Sequence, residues 1–406
     1  MTTHFSFLCR TKTSAGTNAL EHLPFELSGM GAKKPMVIQD AASRKLKRHK
    51  CLIRAFKDSG MTLGIAPAVP EPALSGSKKK PEATAQFIRD MYATYREKGY
   101  DAIIAVGKAA AADMAKALNI AVTLGPDALK GTDITAPLNP LIYIPTGVDT
   151  VTATAASVTF NRKAFTSPYL APDQAVIDPA MLIPDDRDSL LDAALFCLAL
   201  GCEVHALSGN PPARAYAAAL VELAAVPLAQ MIGSYSESNL KLRKKAEAGW
   251  QKQLVQAAVI SGYLTDGSRP LLTLALGREI SGDSGRVSLG MIMTVLLPAV
   301  LETLGRDRFG SLLLPLSGME RFSTVPVSQQ PVTAVQTIRG LLNGLHAVTG
   351  GHTPRTLAEA GWQRDALTAL AADENIQNIT RDTAQDVLKC ILTHACDGSP
   401  VTAPLG

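Results

Sequence analysis

The sequence predicts an α/β domain built on a doubly wound parallel sheet, followed by an all-helical domain. Three observations predict this. Up to about Pro184 short apolar runs alternate with helical stretches; from Asp188 onward long Ala- and Leu-rich segments take over. A chain of 406 residues also suits two domains better than one. We place the boundary near residue 184, giving a dinucleotide-binding-type Rossmann-like domain over 1–184 and a helical domain over 185–406.

The first domain is justified element by element. Lys34–Asp40 (KPMVIQD) follows a Gly-Ala-Lys turn and predicts a strand ending in an acid. A helical stretch runs through Phe56, and Met61–Ile65 predicts a second strand. Residues 75–82 (SGSKKKPE) predict a surface loop, and Pro81–Lys98 has helical spacing closed by Gly99. Asp101–Val106 and Leu141–Ile144 are continuous apolar runs, as strands buried on both faces require. In the second domain, helices are predicted over Ser189–Leu200, Pro212–Leu228, Asn239–Tyr263, Leu289–Leu304 and Ala334–Val348.

Composition narrows the function. Hydrophobic residues make up 47% and charged residues 19%, which supplies large cores and excludes global disorder. A net charge of +4 gives no argument for a nucleic-acid partner. The basic run Arg44, Lys45, Lys47, Arg48, Lys50 lacks interleaved aromatics and is simplest as a solvated helix face. The six cysteines form no CxxC pair and suit reduced thiols. No apolar run approaches the ~18 residues of a membrane span. The first residues, MTTHFSFLCRTKTS, lack an apolar signal-peptide core. A cytoplasmic protein without membrane contact is expected.

The order of segments then resembles a family. GAKKPMVIQD (31–40), GYDAIIAVG (99–107), DMAKAL (113–118), PLIYIPT (140–146), APDQAVIDPAML (171–182), VLLPAV (295–300) and TPRTLAEAGW (353–362) are together similar to the iron-type (group III) alcohol dehydrogenases, relatives of glycerol dehydrogenase and dehydroquinate synthase. The resemblance implies an NAD(P) cofactor on a glycine-rich turn and a divalent metal, iron or zinc, held by one Asp and three His. It further implies an alcohol or aldehyde substrate in the interdomain cleft, and a dimer.

The cofactor residues are a mixed set. Gly107 and Asp113 survive from the family's Gly-Gly-Gly-Ser turn and its following Asp, but Lys108, Ala109 and Ala110 replace the close-approach glycines. Lys108 is either a phosphate-binding cation or a solvated lysine. Of the second turn only Thr146 and a small-polar character remain in Thr146–Val151. Asp40 aligns with an acid that bonds the adenosine ribose, and is alternatively a turn or N-cap residue. Lys163 aligns with a lysine that approaches the nicotinamide.

The metal residues are missing. The family's Asp-Ala-Leu-x-His falls within 193–207, its Asp near Cys197 and its His near Gly201. Residues 271–290 contain no histidine, and Leu289 stands where the last His belongs. A substitute site of Cys197, Cys202 and His205 competes with the plainer reading of a packed core. We therefore expect no bound metal. GREISGDSGR (277–286), read as a Gly/Ser-rich loop, offers Arg278, Glu279 and Asp283 as catalytic candidates, with Arg286 nearby, for an anionic substrate and acid–base work. Two functions stay open. One is an NAD(P)-dependent alcohol dehydrogenase or aldehyde reductase without the usual metal. The other is a non-catalytic paralogue, an interaction or regulatory subunit pairing with an active relative.

Overall fold

The computed structural model describes residues 5–44, 47–70, 81–148, 153–161, 163–235, 238–265, 271–284, 287–305, 309–380 and 383–401; at 47, 81, 282–284 and 375 only the backbone is described. The chain forms two compact units. One comprises Leu8–Asp185 with Ala258–Asp266, the other Asp186–Ala257 and Gly267–Gly406 together with the residues up to Phe7. The cut thus falls beside Pro184, but a short segment from each half of the sequence joins the opposite unit.

In the α/β unit the strands are β1 (Lys12–Ala15), β2 (Pro35–Gln39), β3 (Gly64–Ala68), β4 (Ala102–Gly107), β5 (Leu141–Pro145), the hairpin β6 (Ser157–Phe160) and β7 (Lys163–Thr166), and β8 (Gln174–Ile177). Six of them make a sheet in the order β1-β8-β5-β4-β2-β3, every pairing parallel. The helices are α1 (Leu23–Gly29), α2 (Lys47–Phe56), α3 (Pro81–Lys98) and α4 (Ala109–Leu124). Alternation along the strands sorts the two faces. Val37, Ile104, Val106, Ile142 and Val176 join Leu23 and Leu27 of α1 and Leu52 and Phe56 of α2 in one core. The intervening Ile103, Ala105 and Tyr143 are equally buried on the face covered by α4, which packs on β4 and on α3.

Two sequence expectations shift here. The second strand is Gly64–Ala68 rather than 61–65, because pairing begins at Met36 with Gly64. Met61 and Leu63 instead pack their side chains under the α1–α2 core. Gly64 is needed where it stands, since a Cβ there would collide with the Tyr100 ring. Pro67 is tolerated because β3 is an edge strand. The polar β1 and the four-residue β6, β7 and β8 carry too little hydrophobic pattern to be legible alone.

The helical unit contains α5 (Arg187–Leu207), α6 (Pro211–Gly233), most of α7 (Leu240–Leu264), α8 (Leu272–Ser284), α9 (Leu289–Leu304), α10 (Leu313–Thr324), α11 (Gln330–Val348), α12 (Arg364–Ala371), α13 (Glu374–Ile379) and α14 (Gln385–Asp397). Asp186 starts α5 by accepting from the Ser189 N–H (2.7 Å), and Asn210 caps α6, whose first residue is Pro211. Ile280, Ile292, Leu296, Leu388 and Leu392 anchor a core shared by α8, α9 and α14. α5 and α6 are longer than expected, and by length and composition both could cross a membrane, contrary to the absence of such runs read from the sequence. The most apolar stretch of α5 is 89% buried inside the protein, as a core helix would be.

Candidate functional site

The strand order reverses between β2 and β4. β2 connects outward to β3, whereas β4 connects through α4 to β5 on the other side, so the carboxyl ends of β2 and β4 flank a topological switch point. Open α/β sheets bind ligands at such a crevice. Asp40 follows β2, Gly107 ends β4 and Thr146 follows β5, so the fold brings three of the sequence candidates together.

Backbone groups hold this edge closely. Gly107 has φ of +146°, and a Cβ there would collide with the Asp40 carboxylate and lie 3.0 Å from the Ala111 Cβ. Asp40 is 5% exposed; its Oδ1 accepts from the Ser43 N–H (2.6 Å) and its Oδ2 from the Lys108 N–H (3.2 Å). Thr146 is buried, donates its N–H to the Gly107 carbonyl (3.3 Å) and pairs its hydroxyl with that of Ser43 (3.2 Å). Both Asp40 oxygens therefore organise the turn, and a ribose-binding role recedes in favour of the turn role.

Lys108 is the N-cap of α4, and its own side chain makes no capping bond. The Lys108 ammonium lies 2.6 Å from Oδ1 of Asp185, and Oδ2 of Asp185 accepts from the Val148 N–H (2.7 Å). Lys108 is 40% exposed and Asp185 only 5%. The pair lies over Gly147, where a Cβ would meet the Asp185 carboxylate at 2.7 Å and the lysine Cε at 2.8 Å. Residues 149–151 of the second turn lie outside the described residues. A helix N-terminus beside a cation is the kind of place where a nucleotide phosphate binds, provided the phosphate takes Lys108 from Asp185. Sequence reasoning missed Asp185.

Asp113 and Lys163 sit elsewhere. Asp113 lies one turn into α4, half-buried, three residues before Lys116. The fully buried Lys116 ammonium donates to the carbonyls of Ala155 (2.7 Å) and Ser157 (3.0 Å), tying α4 to the hairpin. Lys163 donates to the Lys130 carbonyl, beyond the far end of α4. The 16 residues of α4 span about 24 Å, which separates Lys163 from Gly107 and from the nicotinamide role.

In the helical unit, Arg278 and Glu279 lie on α8 and not on a loop, both exposed and adjacent in sequence, so they do not face one another. The side chain of Asp283 and all of Arg286 lie outside the described residues. The Leu-Thr-Leu-Ala-Leu start of this segment continues a helix that the Gly and Ser residues were read as breaking.

Nor do the Cys–His candidates assemble a metal centre. Cys197 and Cys202 are fully buried, and desolvation pushes both thiols well above the ordinary cysteine range. Both ring nitrogens of His205 are engaged, Nδ1 with the Arg214 carbonyl (3.2 Å) and Nε2 with the Ser311 hydroxyl (3.1 Å). Burial lowers its pKa, which keeps the ring neutral at pH 7. Glu203 instead caps α8, accepting from the N–H groups of Leu272 (2.6 Å) and Thr273 (3.0 Å).

One acid in this region escaped the sequence reading. Asp192 on α5 accepts from the Gly290 N–H at the start of α9 (2.7 Å), and burial raises its pKa. Its signal was the string Asp192-Ala193-Ala194-Leu195, five residues ahead of the register adopted above. One turn on stands the fully buried Phe196. Among the described residues no group of three or more His, Cys, Asp or Glu side chains gathers as metal ligands would.

Known proteins share this architecture. The family model described as iron-containing alcohol dehydrogenase matches residues 10–179. Over those residues the chain is similar to that family. Long-chain-alcohol dehydrogenase 1 of Geobacillus thermodenitrificans is 23% identical over 374 residues, covering 88% of this chain and 87% of the relative. The NAD-dependent methanol dehydrogenase of Bacillus methanolicus is 20% identical over 206 residues, and the chain spans about half (51%) of that relative's length. Among solved structures, the alcohol dehydrogenase of Oenococcus oeni superposes with a TM-score of 0.73 at 17% identity, covering 97% of this chain and 100% of the other. A 1,3-propanediol oxidoreductase gives 0.73 at 19%, with the same coverage. These structural likenesses speak to the fold.

Proposed function

We propose that this protein acts as an iron-type alcohol dehydrogenase does, interconverting alcohols and aldehydes with a nicotinamide nucleotide, but without that family's divalent metal. The observation that carries the reading is the N-terminus of α4 at the switch point, with Gly107 opening the turn and Lys108 beside it. When bound, the nicotinamide would accept or supply the hydride. Gly107, the first turn of α4 and Lys108 would hold its phosphates, and Asp40 and Thr146 would fix the turn's shape. On the substrate side, Arg278 is the candidate donor to a developing alkoxide and Glu279 the candidate proton carrier. An alcohol or aldehyde is the substrate class, as in the relatives' names. Free thiols at all six cysteines agree with a cytoplasmic location.

The test is a titration of NADH and NADPH into the wild type, the Lys108→Gly/Ala109→Gly/Ala110→Gly variant and Asp185→Asn. The wild type is expected to bind weakly and with strong salt dependence, because Lys108 is half-exposed and its charge is screened. Asp185→Asn removes the competing anion and should tighten binding about tenfold. The glycine variant should also tighten it if the added side chains are the principal obstacle.

A second reading has its own observation. The Lys108–Asp185 pair and the Val148 N–H satisfy one another without any ligand. A non-catalytic subunit, in a homodimer or with an active relative, would keep such a self-satisfied edge. No signal from any of the three proteins at millimolar cofactor selects that reading.

A further inference from the structure

The helical unit carries a half-open cavity of about 330 Å³ lined from α9, α11, α14 and the segment around Arg355–Glu359. No residue that we assign to cofactor or substrate lines it. Its floor is apolar and almost wholly buried: Val295, Pro298, Ala299, Leu342 and Ala395. Its mouth is charged, with Arg339, Arg355, Glu359 and Asp397.

These charges are fixed in place and balanced. The Arg339 guanidinium donates to Oε2 of Glu302 (2.8 Å) and to the Gly398 carbonyl (2.7 Å). The Arg355 Nε donates to Oε1 of Glu359 (3.0 Å), and Asp397 is ion-paired with Arg364. The lining therefore offers two cations and two anions, each already compensated. A ligand with one net charge would be attracted by one sign and repelled by the other. A ligand carrying both signs a few ångströms apart would meet complementary groups of both kinds. Pairing leaves capacity for this on the two guanidiniums, with five N–H donors each, and on Asp397, whereas Glu359, whose oxygens already accept from the Arg355 N–H, Nε and Nη2, adds only its charge. The floor suits a short branched aliphatic group, which has no polar atom to satisfy. Asn343, also in the lining, is exposed.

We propose that this cavity binds a free α-amino acid with a branched aliphatic side chain, its carboxylate toward Arg339 and Arg355, its ammonium toward Glu359 and Asp397, and its side chain on the floor. The site is independent of the cofactor reading and lies wholly within one unit.

The experiment titrates the full-length protein with L-leucine, 4-methylpentanoate and 3-methylbutylamine, by calorimetry and by the rise in Tm. Leucine is expected to bind at one site, with each singly charged analogue about tenfold weaker or more. Asn343→Trp should fill the mouth and abolish binding while the unliganded Tm stays unchanged. Should that variant fold poorly, the Arg355→Gln/Glu359→Gln double variant removes one charge of each sign, and it should erase the preference for leucine over the analogues. Absence of leucine binding to the wild type, equal affinity for 4-methylpentanoate, or leucine binding that survives Asn343→Trp would each overturn the proposal.

Discussion

The carboxyl edge of the sheet and the junction of α5 with α9 both differ from the pattern that the resemblance implies, and in opposite ways. At the sheet edge the close-approach glycines gave way to Lys108, Ala109 and Ala110, and the resulting cation found Asp185. The change stays polar, half-exposed and electrically balanced. At the α5–α9 junction Asp192 bonds the Gly290 N–H, with Phe196 and Cys197 fully buried beside it in the sequence. The difference teaches that solvent decides how a site can erode. Where water reaches, one charge can replace another cheaply. Where it does not, only apolar side chains or a fully bonded acid are tolerated. The sheet edge therefore remains open to a ligand, whereas the junction has been absorbed into a core.

The strongest challenge to this contrast is Gly290→Ala. A Cβ at 290 would collide with the Asp192 carbonyl and approach the Phe196 nitrogen to 2.8 Å, both backbone of a neighbouring helix that cannot swing away. A loss of about 3 kcal/mol is expected in urea unfolding. A loss smaller than about 1 kcal/mol would mean that the junction is loosely packed and could still open for a ligand.

A smaller effect sharpens the electrical side of the comparison. Burial raises the Asp192 pKa, opposed by the N–H groups of Gly290 and Met291. The folded state therefore holds its proton at pH values where the unfolded chain, near pKa about 4, has lost it. This contribution is present at low pH and is lost as pH rises through the raised value. Asp192→Asn should remove that slope, so its stability relative to wild type should rise between about pH 5 and pH 8. A constant difference across that range would show that Asp192 is solvated.

The mildest change is expected at the sheet edge. Lys108→Met leaves Asp185 its bond from Val148 but removes the ion pair. With the lysine 40% exposed, about 1 kcal/mol is at stake, shrinking in high salt. A loss as large as that of Gly290→Ala would place the pair in a structural role and weaken the view of the edge as an open site.

The sequence by itself determined the architecture, because local pattern and burial agree in its strongest elements. Buried runs such as Ala102–Gly107 and Leu141–Pro145, and long helices such as Pro81–Lys98 and Leu289–Leu304, state their partner surfaces in their own periodicity. It also determined that Asp40, Gly107 and Thr146 end neighbouring strands, since each closes an apolar run. Tertiary structure alone decided what those residues touch. Lys108 and Asp185 are 77 residues apart, and no local pattern announces an ion pair across that separation. Asp192 and Glu203 look alike on one helix, yet the first meets the start of α9 and the second the start of α8, because each hydrogen bond is fixed by the packing of another helix. Arg278 and Glu279 were read as loop residues from their glycines and serines, and the apolar face of α8, buried through Leu272, Leu276 and Ile280, overrode that local preference.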